Sequence, residues 1–262
     1  MKTVLITGGS SGIGFEMSKR FANDGYRLLW VSLFQKELDE AKAKLLNEFA
    51  NTEIHTLEKD LSIPTNSKSI YDWVQENNWT IDVLINNAGF GNYGYVNDIP
   101  IEKELAVINL NIINLFQLTR YFLKEMVAND AGTIINISSN SSFQPIARMN
   151  IYASTKGFVT HFSRGLTEEL RLMKSKVHVI TICPAAIKDT AFRKSNDMEK
   201  VKTFEGLVYT TANEVANDVW KAFQKKKNFQ VTGWKMRILY AIRNFIPYRL
   251  QQMMVAMETE EK

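Results

Sequence analysis

Short apolar runs rich in β-branched residues alternate along the chain with longer stretches whose apolar positions recur every three or four residues. The short runs occupy residues 3–7, 27–32, 53–57, 81–86, 133–138 and 177–183, with a briefer one near 229–231. Each has the length and composition of a buried strand. The stretches between them are periodic in the manner of helices, including a long one near 104–128 and another near 151–174. Alternation of this kind predicts an α/β chain: a doubly wound, seven-stranded, mostly parallel sheet with helices on both faces. Ligands bind such sheets outside the carboxyl ends of the strands, where the strand order reverses. Thr7, Asn87, Ser139 and Pro184 each follow a predicted strand and so converge on that edge. No repeat, low-complexity tract or linker breaks the pattern, which predicts one domain over residues 1–262.

Composition narrows the class without naming a function. A chain of 262 residues with 45% hydrophobic content can bury one substantial core, and 23% charged residues suit an ordinary water-facing surface. The lone cysteine, Cys183, excludes an intramolecular disulfide and reads as a small core residue, compatible with a reducing, cytoplasmic compartment. The first strand begins at Thr3, which predicts no cleavable leader. No apolar run reaches the roughly 18 residues that a membrane span requires. His55, His161 and His178 are scattered singly, so no metal is expected.

The formal net charge of +4 is unevenly placed. Residues 1–218 balance at −2, residues 219–257 hold eight basic residues and no acid, and the last five contribute −2. Within the basic segment, Trp234, Met236, Ile238, Leu239, Ile242, Phe245, Ile246, Leu250, Met253 and Met254 interleave with Lys235, Arg237, Arg243 and Arg249. An amphipathic extension over about 234–257 can cap a pocket, pack across a subunit interface or lie on an anionic membrane surface. Pro247 is placed to divide it into two helices. Nothing else in the chain supplies a basic groove, so no nucleic acid is expected.

Two clusters bear chemistry. Gly8, Gly12 and Gly14 fall between the first strand and a helix carrying Ile13, Met17 and Phe21. A strand, glycine turn and helix in succession aim bare amides and a helix N-terminus at a pyrophosphate. Farther on, Tyr152 and Lys156 stand four residues apart, which puts them on one helix face, and Ser139 lies thirteen residues upstream. A nearby ammonium draws a phenol down from its usual pKa near 10 toward working pH. The serine hydroxyl can hold a substrate oxygen, and the chemistry suggested is proton transfer to or from that oxygen.

Taken together, these residues resemble the short-chain dehydrogenase/reductase family along most of the chain. Thr7-Gly8-Gly9-Ser10-Ser11-Gly12-Ile13-Gly14 resembles the family's cofactor loop, Asp60-Leu61 its adenine contact, and Asn86-Asn87-Ala88-Gly89 its conserved turn. Asn111 falls where the family keeps a helical asparagine that holds a proton-relay water, and Ser139, Tyr152 and Lys156 complete a catalytic tetrad. The resemblance implies a Rossmann-type fold and a hydride exchanged between nicotinamide and a carbonyl or alcohol. It also implies a homodimer or homotetramer, paired through the helices near 104–128 and 151–174. The implied cofactor contacts are Gly8, Ser10, Ser11, Gly12, Ile13, Gly14, Leu33, Asp60, Leu61, Asn87, Ala88, Gly89, Tyr152, Lys156, Pro184, Ile187 and Thr190. Residues 186–212 fall where the family places a substrate lid.

Three positions depart from the family pattern. Ala185 stands where a glycine is usual, Ser142 replaces another, and Asp189 competes with Thr190 for the customary threonine, which is assigned here to Thr190. The second strand ends Trp30-Val31-Ser32-Leu33-Phe34-Gln35-Lys36, with no acid to accept from the ribose hydroxyl of NAD. NADP(H) is therefore favoured, with NAD(H) the alternative; Lys36 can reach a phosphate or stand solvated. Phe90, Gly91, Tyr93, Tyr95, Phe143 and Ile146 occupy loops where substrate would lie, predicting an apolar pocket. The competing functions are a dinucleotide-binding sensor or scaffold without catalysis, and a cofactor-dependent epimerase or dehydratase.

Overall fold

In the computed structural model, which describes residues 1–188 and 209–259, seven strands form one sheet in the order β3-β2-β1-β4-β5-β6-β9. They are β1 (Thr3–Thr7), β2 (Arg27–Ser32), β3 (Ile54–Glu58), β4 (Val83–Asn86), β5 (Thr133–Ile137), β6 (His178–Cys183) and β9 (Phe229–Val231), each parallel to its neighbours. Two further strands, β7 (Ala186–Ile187) and β8 (Tyr209–Thr210), pair separately and have no counterpart in the sequence pattern. Side chains alternate across the sheet. Val4, Ile6, Leu28 and Trp30 face α1 (Gly12–Asn23), α2 (Gln35–Glu48) and α7 (Ala212–Gln224). Leu5, Leu29 and Val31 face α3 (Asn66–Glu76), α5 (Leu115–Ala128) and α6 (Asn150–Leu172). Both faces are covered, so the central strands are largely apolar, and the buried amides they do carry, Asn86 and Asn136, are hydrogen-bonded to each other and to Thr119 and Ser163. Leu5 is fully buried, and truncating such a residue to alanine costs about 2–5 kcal/mol.

The predicted helix near 104–128 begins earlier and is not uniform. α4 (Ile101–Ile108) runs into a π-helical turn, Asn109–Asn114, before α5 resumes α-helical spacing. Single π turns commonly sit at functional positions. This one carries two buried amides, Asn111 and Asn114, and Asn114 donates to Ser67 (2.8 Å).

The C-terminal extension divides as the proline predicts. α8 (Trp234–Ile242) leads through a 3-10 turn at Arg243–Phe245, and α9 (Tyr248–Glu258) starts with Pro247 at its N-cap. Residues 189–208 of the predicted lid, including Thr190, lie outside the described residues, while β7 and β8 flank them at its base. No helix among the described residues is long and apolar enough to cross a membrane.

Candidate active site

The strand order reverses between β2-β1 and β4-β5, and a cavity of about 610 Å³ opens beyond the carboxyl ends there. That volume lies in the usual range for small-molecule sites. At one end stands the glycine loop. Gly8 adopts φ +67°, a left-handed conformation that a side chain would strain, and its N–H donates to the Val31 carbonyl (2.7 Å). A methyl on Gly14 would stand 2.0 Å from the Gly8 carbonyl oxygen, so the loop closes onto the helix only because Gly14 is bare. Thr7 locks the next wall: its hydroxyl accepts from the backbone N–H groups of Asn87 and Ala88 (both 3.0 Å). The Asn87 amide donates back to the carbonyls of Thr7 (2.9 Å) and Gly8 (3.2 Å). Ser10 donates to Ser32 (3.0 Å), tying the loop to the end of β2.

This end fits a dinucleotide. Gly12 and Ile13 place the N-terminal amides of α1 on the cavity wall, where a helix end favours phosphate. Gly8, Ser10, Ser11, Leu33, Asp60, Leu61, Asn87, Ala88 and Gly89 also line the wall. Gly14 does not; it acts beneath the surface by admitting the loop. Lys36 is not a wall residue either: its side chain is 87% exposed and faces Glu40 (3.9 Å). In its place Glu37 and Lys59 line the cavity, and sequence reasoning missed both. Glu37 lies one residue beyond the strand-end stretch Trp30 to Lys36, and Lys59 directly precedes Asp60.

At the opposite end β5, β6 and α6 bring the proton-transfer groups together. Ser139 lies in extended backbone at the N-cap of a 3-10 turn, and its hydroxyl accepts from Ser141 N–H (3.1 Å). Ser142, a departure from the family pattern, secures this turn by donating to the Ser139 carbonyl (2.7 Å). Tyr152 and Lys156 project from the same face of α6, with the ammonium 5.8 Å from the phenol ring centroid. Lys156 is buried, donates to the Ile137 carbonyl (2.9 Å) and forms no ion pair among the described residues. A methyl on Gly89 would stand 3.1 Å from both Lys156 Nζ and Asn111 Oδ1, a close fit that sets the three residues side by side.

Electrostatics here differ from the sequence expectation. The sequence predicts a phenol drawn down by its lysine. In the structure burial dominates, pushing Tyr152 up to about 12 against a hydrogen bond from Ser139 that lowers it. The same burial pushes Lys156 down to about 8. A lysine that sits beside the ring instead of at the hydroxyl gives the phenolate little support. Asn111 is buried nearby. It lies behind the cavity wall, donating to the Phe90 carbonyl (2.9 Å) and to Thr155 (3.0 Å) and accepting from Phe90 N–H (3.3 Å). Within the π turn it fastens the loop after β4 to α6.

Of the loop residues predicted to meet substrate, Phe90 and Ile146 line the cavity and Gly91 lies against the Tyr152 ring. Phe143 turns away to pack on Tyr240 and Phe229, and Tyr95 sits beneath the Arg148 guanidinium. Tyr93 is an anchor instead: its hydroxyl donates to the Thr259 carbonyl (2.6 Å) and accepts from Arg148 (3.0 Å). That bond holds the end of α9 over the site, where Val255 and Thr259 complete the wall. Pro184, Ala185 and Ile187 line it from the β6 side. Cys183 is sealed in the core, its thiol pushed up to about 11 by burial. Among the described residues no group of three or more His, Cys, Asp or Glu side chains is placed to hold a metal ion.

The chain is similar to known oxidoreductases. The family model for short chain dehydrogenases matches residues 2–200. The uncharacterized oxidoreductase DltE of Bacillus subtilis is 31% identical over 212 residues, covering 78% of this chain and 79% of that one. The very-long-chain 3-oxoacyl-CoA reductase-A of Danio rerio is 33% identical over 200 residues, covering 74% of this chain but only 61% of the longer relative. Among solved structures, a short-chain dehydrogenase from Sphingobium yanoikuyae in complex with NADPH superposes with a TM-score of 0.80 at 28% identity, covering 94% of each chain.

Proposed function

The chain belongs to the short-chain dehydrogenase family, and from that premise we propose that it interconverts a carbonyl and an alcohol on an apolar substrate, using NADP(H) in preference to NAD(H). The observation that carries this function is the meeting of Ser139, Tyr152 and Lys156 on the wall of the same cavity that the glycine loop closes. When bound, the nicotinamide gives or takes the hydride; the chain positions the reactants and handles the proton. In reduction Tyr152 donates its phenolic proton to the carbonyl oxygen, and a phenol held at about 12 is fully protonated for that role at neutral pH. Ser139, already hydrogen-bonded to Tyr152, orients the same oxygen. Lys156 stands beside the phenol ring on the same helix face, and Asn111 fixes the loop that faces it. Phe90, Ile146, Met149 and Val255 give the substrate end its apolar lining, consistent with the acyl substrate named for the Danio rerio relative.

Preference for NADP(H) rests on Lys59, the basic group on the adenosine wall, with no acid at the end of β2. Glu37 on that wall opposes it, so the preference is moderate. A homo-oligomer paired through α5 and α6 is supported by the aromatic cluster Phe116, Phe158 and Phe162, of which the first two are exposed. The test is a fluorescence titration with NADPH and NADH, followed by turnover on a panel of apolar ketones and aldehydes. Tighter NADPH binding with net nicotinamide oxidation is expected. Binding without turnover on any carbonyl would favour a sensor, and tighter NADH binding would overturn the cofactor assignment.

A further inference from the structure

Among the described residues, the exposed large apolar side chains are densest in one short segment. Nine of the twenty-two large exposed ones among the described residues lie within residues 234–257. Scattered apolar exposure needs no explanation, whereas a contiguous patch marks an interaction surface. On α8, Trp234, Ile238 and Ile242 follow helical spacing onto one face, Phe245 follows in the 3-10 turn, and on α9 Leu250, Met253, Met254 and Met257 share a face. Exposure reaches 87% at Phe245, 65% at Trp234 and 63% at Met253. The opposite face of α9 is the inward one: Val255 and Thr259 line the cavity, and Gln252 donates to the Pro145 carbonyl (3.4 Å). The outward face is therefore a surplus that the fold does not use.

Its charge selects the occupant. Lys235, Arg237, Arg243 and Arg249 are the only ionisable groups of formal charge between residues 234 and 257, and all are basic. Arg237 faces Asp218 (3.3 Å) and Arg243 covers the Tyr240 ring, while Lys235 and Arg249 are exposed. A second copy of the chain is a poor partner, because a two-fold contact would set this cationic face against itself. A nucleic acid would meet bare methionines and Phe245. We propose that the α8–α9 face docks on an anionic lipid bilayer, with Trp234, Phe245, Met253 and Met257 entering the interface and the basic side chains meeting the headgroups. Amphipathic helices bind membranes by this combination of apolar area and charge. Docking there is independent of the catalytic assignment, although it would bring the α9 wall of the cavity to the lipid surface.

Flotation of the full-length protein with phosphatidylcholine vesicles, with and without one quarter phosphatidylglycerol, tests this directly. Co-flotation with the anionic vesicles, weakened by added salt, is expected, with little on pure phosphatidylcholine. Phe245→Asp and, separately, Met253→Asp should each reduce the bound fraction tenfold or more at unchanged thermal midpoint. Absence of flotation, or flotation unaffected in both variants, overturns the proposal. So does light scattering in which the wild type is an oligomer that Phe245→Asp separates, since the face would then belong to a second copy.

Discussion

One end of the cavity is made of backbone and the other of side chains. At the glycine loop the contacts that define the wall are amides, carbonyls and missing Cβ atoms: Gly8 at positive φ, Gly14 against a carbonyl, Asn87 spending its amide on Thr7 and Gly8. At the other end the wall is Ser139, Tyr152, Lys156, Met149 and Val255, drawn from the chain between residues 139 and 255. A backbone site recognises what all its ligands share, because peptide groups do not vary with the residue. A side-chain site can be respecified one substitution at a time. The division implies that binding and chemistry can be broken separately.

The largest separation is expected from Tyr152→Phe. Turnover should fall by about 10²–10⁴-fold, the usual worth of a positioned proton donor, while NADPH affinity in a fluorescence titration stays within about twofold. Comparable turnover in the variant would remove Tyr152 from the reaction.

Next comes Lys156, whose burial makes stability depend on pH. Its folded pKa of about 8 lies below the usual 10.5, so between those values the unfolded chain holds a proton that the folded chain has released. Stability therefore rises as pH goes from about 8 toward 10.5. In Lys156→Met, denaturant melts at pH 8 and pH 10 should lose this rise, and the variant should gain stability on the order of 3 kcal/mol at neutral pH. An unchanged slope would place the titrating group elsewhere.

Gly14→Ala acts from the backbone end. The added methyl forces the loop off the helix at a cost of about 1–3 kcal/mol in stability. NADPH affinity should fall more steeply than the melting temperature alone would suggest. Wild-type affinity in this variant would dissolve the contrast between the two ends. The smallest effect sharpens it: Lys59→Ala should lower NADPH affinity about tenfold, near 1.4 kcal/mol, and leave NADH unchanged. Equal loss for both cofactors would mean that Lys59 does not meet the 2′-phosphate.

Backbone and side-chain ends were also unequally legible in the sequence. The strands stand within a residue or two of their apolar runs, because burial on both faces makes most of their residues apolar. The glycine loop is legible for a similar reason: a missing side chain is written directly in the sequence. Tyr152, Lys156 and Ser139 were legible as a spacing, but their protonation was not, since burial and not proximity sets its direction. Glu37 and Lys59 escaped because each is ordinary in its local context and reaches the wall only through the angle of α2 and the end of β3. Val255 and Thr259 escaped because nothing local says that α9 folds back over the site. The bond from Tyr93 to Thr259 spans 166 residues. The π turn is equally silent in a helical pattern that continues through it.

Cys183, finally, has a practical consequence. It is fully buried with a thiol at about 11, so the thiolate that alkylating reagents attack is both scarce and shielded. Little reaction of the native chain with maleimide dyes is therefore expected. A single cysteine placed at an exposed position such as Leu172 can then carry a fluorophore or spin label, with no need to replace the native residue and no second attachment to correct for.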